Sequence, residues 1–234
     1  MKLVIKWSLA MTYLAIHLLL AVGYATEEGN NPYAGKYELV TPPVVVANPK
    51  TIEIVELFWY TCPHCYFFEK NILQPWLKNK PADVEFIHQP AVFNERNVFY
   101  TKVYYTAEAL HVLDKVHMPI FEALHDQQQK LEEEGVMKLF SRYGVSEEEF
   151  KKTFNSFMVD TKVRQANELT VKYGNKVVPT IVINGKYRMS SEITDGYDNM
   201  MKIIDYLIEK ERKLMTTPTT APALATPTTS SVNP

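Results

Sequence analysis

The chain has 234 residues, with 25 Lys and Arg against 27 Asp and Glu for a formal net charge of −2. A slightly acidic balance gives no excess of positive charge for tracking a phosphate backbone, which argues against nucleic acid as a partner. Two cysteines are too few for a disulfide framework, and the length is that of one domain once two unusual ends are set aside.

Taken in chain order, the first of those ends is Met1–Ala25. Lys2 and Lys6 precede an apolar stretch from Trp7 to Val22, and Gly23-Tyr24-Ala25 gives a small-x-small pattern. This predicts a secretory signal peptide over residues 1–25, cleaved near Ala25–Thr26. The competing reading is an uncleaved membrane anchor, because the apolar stretch approaches spanning length. Either way the chain from Thr26 onwards is exported. Losing Lys2 and Lys6 would shift the net charge of −2 to −4.

Tyr37–Val40 is a candidate edge strand, and Ile52–Tyr60 (IEIVELFWY), rich in β-branched and aromatic residues, is the first strongly buried one. Pro63–Leu77 has helical spacing, with Pro75 expected to kink it. Val84–His88 follows as a short strand, so the first unit is β-α-β with a right-handed parallel crossover. From about Asn97 to Thr170 the period is helical throughout. Val98–Leu113, Pro119–Gln128, Glu132–Tyr143, Glu147–Phe154 and Phe157–Tyr173 are the expected helices, and Ser146 with Glu149 forms a capping-box pattern. Strand character returns at Val177–Ile183 and Lys186–Met189, joined by Asn184-Gly185, a strong hairpin signal. Asp195–Lys213 is a closing amphipathic helix. Residues 214–234, ending in TTPTTAPALATPTTSSVNP, cannot bury a core and are expected to be a disordered tail.

The chemistry-bearing stretch is FWYTCPHCYFFE, Phe58–Glu69, where strand gives way to helix. Pro63 suits the first helical position, which places Cys62 at a helix N-terminus. There the unpaired backbone N–H groups and the positive end of the helix dipole favour a thiolate over a thiol, and His64 can add a hydrogen bond or a positive charge. Zinc needs about four ligands; there is no second CxxC, and His88, His111, His117 and His125 are scattered along the chain. Covalent haem attachment needs CxxCH, and the next residue is Tyr66. A purely structural disulfide across so short a loop would add little stability. Redox chemistry is the better reading.

Two further features bear on that site. Glu56 shares a strand side with Ile54 and Phe58. A carboxyl in so apolar a run is either at an exposed edge or buried, and if buried near the cysteines it could exchange protons with Cys65. Val178-Pro179 puts a residue without an N–H at the start of a buried strand, which marks an edge, a first position or a special turn.

These residues resemble the DsbA family of thiol-disulfide oxidoreductases. The likeness rests on Val55–Glu69 (VELFWYTCPHCYFFE), Phe154–Phe157 (FNSF) and Val177–Met189 (VVPTIVINGKYRM), and extends from about Tyr37 to Lys213. It implies an α/β thioredoxin fold with an inserted helical domain: residues 37–96 and 159–213 form the thioredoxin-like part, 97–158 the insertion. It further implies that Cys62 is the exposed nucleophile, Cys65 its inner partner, Pro63 and His64 the tuning dipeptide and Glu56 the buried acid. Pro179 would be cis, with Val178 offering its backbone to an extended substrate segment. The implied activity is donation of the Cys62–Cys65 disulfide to reduced exported polypeptides in the periplasm by a monomer that needs no cofactor, metal or nucleotide, with recycling by a DsbB-like membrane oxidase. A disulfide isomerase or reductase would use the same cysteines, but the usual isomerases carry a dimerisation domain for which Thr26–Lys36 leaves no room. A soft-metal-binding protein using both thiolates is the third reading.

Overall fold

The computed structural model describes residues 31–174 and 176–216. The expected signal peptide and nearly all of the expected tail lie outside the described residues.

Five strands form one mixed sheet: β1 (Glu38–Leu39), β2 (Ile52–Phe58), β3 (Val84–Pro90), β4 (Thr180–Ile183) and β5 (Tyr187–Ser190), in the order β1-β5-β4-β2-β3. β2 runs parallel to β3 and antiparallel to β4, and every residue of β2 is buried. Its alternating side chains serve two faces: Ile52 and Ile54 pack with the closing helix, while Val55 and Leu57 pack with Val182 and Tyr173 on the other side. This two-sided burial explains an almost unbroken apolar strand. Between β2 and β3 the chain forms α1 (Pro63–Phe68), a π-helical turn (Glu69–Leu73) and α2 (Gln74–Leu77). Between β3 and β4 come five helices: α3 (Glu95–Ala109), α4 (Leu113–His125), α5 (Glu133–Ser141), α6 (Glu147–Phe154) and α7 (Phe157–Lys172). α8 (Tyr197–Thr216) closes the chain. The architecture is a thioredoxin fold with an inserted helical bundle.

Several local outcomes differ from the sequence expectations for identifiable reasons. Pro75 falls in the first turn of α2, where the helical run is broken into segments. Lacking an N–H, it cannot bond the carbonyl one turn back, and the chain adapts just upstream, where the Gln74 N–H bonds the Glu69 carbonyl in a π turn. α4, expected to start at Pro119, begins at Leu113 and carries Pro119 in its interior; the break falls instead at His111, where φ is 55°. β4 begins at Thr180, after Pro179, because Pro179 cannot donate to the ladder. β3 extends to Pro90. The closing helix continues through Leu214, Met215 and Thr216, three residues into the expected tail, since no proline interrupts it before Pro218.

The Asn184-Gly185 hairpin forms with φ of 50° and 64°, the left-handed pair required by a type I′ turn. A Cβ on Gly185 would sit 1.9 Å from the Val44 carbonyl oxygen, so the loop ahead of β2 packs directly on the turn. The capping box at α6 is also formed, with Ser146 Oγ accepting from the Glu149 N–H and Glu149 accepting from the Ser146 N–H.

Candidate active site

β2 ends at Phe58 and α1 begins at Pro63, so the intervening turn delivers Cys62 to the helix N-cap in an extended conformation (φ −89°, ψ 116°). Pro63 occupies the first helical turn, as its ring geometry favours. Both cysteines are free thiols; Cys62 is half-buried and Cys65 buried. The Cys62 sulfur accepts a hydrogen bond from the Cys65 N–H at 3.4 Å, and its thiol donates to the Val178 carbonyl at 3.7 Å. The Val178–Pro179 peptide bond is cis, and the Cys62–Val178 contact sets the loop before β4 against the helix N-terminus. Phe67 and Val177 flank this region and are both exposed.

The two sulfurs differ sharply in acidity. A hydrogen bond from the Cys65 thiol is the chief cause holding Cys62 down to about 6; burial opposes it, while the Cys65 and His64 N–H groups and the His64 ring assist. Burial above all pushes Cys65 up, followed by its hydrogen bond to Cys62 and the nearby Glu56 carboxyl. The helix-terminus argument therefore holds, but the larger contribution comes from the partner cysteine. A thiolate at Cys62 beside a protonated Cys65 is what an attacking and leaving sulfur with a reserve nucleophile requires.

Glu56 is buried in the central strand, not at an edge, and neither of its carboxyl oxygens meets a hydrogen-bond partner. Burial raises its pKa well above the usual carboxyl range, and the neighbouring Glu69 raises it further. Three residues that the sequence did not mark surround it. Glu69, turned inward by the π turn, is buried and bonded to Gln74 Nε2 at 2.6 Å. His88 Nε2 lies 3.1 Å from Glu69 Oε2 and 3.8 Å from Glu56 Oε2. His117, from α4, has Nδ1 2.8 Å from Tyr60 Oη, and its Nε2 is buried 3.8 Å from Glu69 Oε1 without a hydrogen bond. Burial, with the adjacent His88, pushes His117 down to about 3, so it is neutral. Burial raises the Glu69 pKa, but the hydrogen bond and electrostatic influence of His88, followed by the proximity of His117 and the Gln74 hydrogen bond, together carry it below the usual value. A register argument could have found His88: aligning the first residues of the two parallel strands, Ile52 with Val84, sets Glu56 opposite it. His117, which the sequence reading set aside with His88 as one of several scattered histidines, is brought to His88 and Glu69 by a helix of the insertion.

Comparison with known proteins agrees with this geometry. The model of the DSBA-like thioredoxin domain matches residues 53–207. The thiol:disulfide interchange protein DsbA of Pseudomonas aeruginosa is 39% identical over 191 residues, covering 81% of this chain and 90% of its own. That of Burkholderia cepacia is 32% identical, with 86% and 95% covered. The crystal structure of Pseudomonas aeruginosa DsbA superposes with a TM-score of 0.74 at 38% identity, covering 81% of this chain and 98% of its own. The Xylella fastidiosa DsbA structure gives 0.70 at 31% identity, with 76% and 95% covered. With the sulfur pair at a helix N-terminus, a cis-proline loop facing it and matches that span most of both partners, the chain belongs to the DsbA family and is a thiol-disulfide oxidoreductase.

Proposed function

We propose that the protein acts in the periplasm as a dithiol oxidase, giving its Cys62–Cys65 disulfide to reduced exported polypeptides. The observation that carries this reading is the asymmetry of the sulfurs, Cys62 held down to about 6 and Cys65 pushed up. Whatever stabilises the Cys62 thiolate stabilises the reduced protein, which favours giving the disulfide away. The export pattern of Met1–Ala25 and the similarity to DsbA proteins support the periplasm as the compartment.

In the first step a substrate thiolate attacks Cys62 Sγ of the disulfide. The Cys62–Cys65 bond breaks, a mixed disulfide forms, and Cys65 leaves as a thiolate that takes up a proton. Glu56, buried with a raised pKa beside Cys65, is the group we assign to supply that proton and to receive it in the reverse direction. In the second step another substrate thiolate attacks the substrate sulfur of the mixed disulfide. Cys62 leaves as the stabilised thiolate, and its low pKa speeds departure. Two electrons have passed from substrate to the pair. Pro63 and His64 shape and tune the N-terminus that holds Cys62. Val178 and Pro179 present a backbone edge to an extended substrate segment, with Phe67 and Val177 offering apolar contact. A DsbB-like membrane oxidase is the partner that restores the disulfide.

The test is transfer to a dithiol peptide under single turnover. The oxidised protein should oxidise one peptide per chain, and Cys62→Ser should abolish transfer. Glu56→Gln should slow the Cys65-dependent step by up to about 100-fold, the lower end of what a positioned general acid or base contributes. Equal rates for Glu56→Gln and the parent at every pH would remove Glu56 from the proton path.

A further inference from the structure

We propose that Glu69, His88 and His117, with Glu56 as a fourth donor, form a binding site for a divalent transition-metal ion of the zinc class, separate from the two sulfurs. The histidines are far apart in sequence, but β3 and α4 bring them together against the π turn and the central strand. One ligand atom from each of Glu69, His88 and His117 lies within 4.8 Å of the other two. In a tetrahedral zinc site with bonds of about 2.1 Å, ligand atoms stand about 3.4 Å apart. The separations that the two Glu69 oxygens and Glu56 make lie on either side of that value: 3.1 Å from His88 Nε2 to Glu69 Oε2, 3.8 Å from His117 Nε2 to the other oxygen, Glu69 Oε1, and 3.8 Å from His88 Nε2 to Glu56 Oε2.

Two observations point beyond mere proximity. His117 Nε2 and both Glu56 oxygens are buried polar atoms with no hydrogen-bond partner, a costly condition that a bound cation relieves. Second, His117 Nδ1 is placed 2.8 Å from Tyr60 Oη. A proton on Nδ1, donated to that oxygen, leaves the Nε2 lone pair facing the cluster, the orienting arrangement typical of metal-bound histidine. Charge also fits. An ion that displaces the Glu56 proton would be held by two carboxylates and two imidazole nitrogens, and the dication would balance the two carboxylates in a buried site. Mixed imidazole and carboxylate donors suit zinc or cobalt rather than calcium or magnesium. His88 is the only member that reaches the surface, with 18% of its side chain exposed, and β3 is a sheet edge, which provides a way in for the ion.

The oxidised protein is the material for the test, because a disulfide offers no thiolate to compete for metal. Titration of zinc by calorimetry should show one ion per chain, and cobalt should give the intense visible bands of a tetrahedral site without a thiolate charge-transfer band. His88→Gln and His117→Gln should each weaken zinc binding at least tenfold. His88 is partly exposed, so its variant keeps the test valid if the His117 variant does not fold. Saturable binding lost in His88→Gln supports the site. No saturable binding, weak octahedral cobalt bands, or unchanged affinity in His88→Gln would overturn it. All of these readouts are independent of disulfide exchange, so failure here would leave the oxidase reading intact.

Discussion

Cys62 receives hydrogen bonds from two parts of one neighbour, the Cys65 backbone N–H and the Cys65 thiol, and the thiol is the larger influence on its acidity. That ranking yields a discriminating pair of variants. Cys65→Ala removes the donor and should move the Cys62 pKa from about 6 back toward its ordinary 9, whereas Cys65→Ser keeps a hydroxyl donor and should hold it between the two. Thiolate absorbance across a pH titration of each variant reads this directly, and identical curves for the two would show that the helix terminus alone sets the acidity. His64→Ala should have a smaller effect, since its ring is the last contributor and its N–H survives the change. At this scale the sequence was informative where chemistry and spacing coincide, as in CPHC. It was blind to the surroundings of Glu56, because Glu69, His88 and His117 meet only through a π turn, a strand register and a helix from the insertion.

The elements show how local rules are met or displaced. Pro63, Ser146 and the Asn184-Gly185 pair behave as their conformational preferences dictate, and those boundaries were legible for that reason. Pro75 likewise falls in the first turn of α2, just after the π turn, whereas Pro119 sits inside α4, because a helix buried on one side can continue past a missing N–H. The π turn has a consequence for the site, since it is the segment that carries Glu69 into the interior. The β4–β5 hairpin is similarly exacting. Gly185→Ala places a Cβ in a left-handed backbone and against the Val44 carbonyl, so it should destabilise the protein by roughly 1–3 kcal/mol. Denaturant unfolding would register the loss as a lower midpoint; an unchanged midpoint would mean that the loop before β2 does not hold the turn.

For the whole molecule, one mixed sheet supplies both the redox pair and the cis-proline loop, so activity should depend on residues 31–216 and not on the Thr/Pro-rich end. Truncation after Thr216 is expected to leave single-turnover peptide oxidation within about twofold, a difference of less than 0.5 kcal/mol in barrier; a large loss would assign the tail a part in catalysis. The fold class and element order were legible because periodicity changes sharply from strand to helix and back. The central claim, that this pair is a disulfide donor, is tested most directly by its equilibrium redox potential against glutathione as a function of pH. A disulfide donor of this kind should show a potential well above about −220 mV, the upper end of the glutathione poise. Its slope should flatten as pH rises through about 6, from about 59 to about 30 mV per pH unit, because the reduced pair then holds one proton fewer. A value near thioredoxin's, about −270 mV, with no break in slope near that pH, would contradict it.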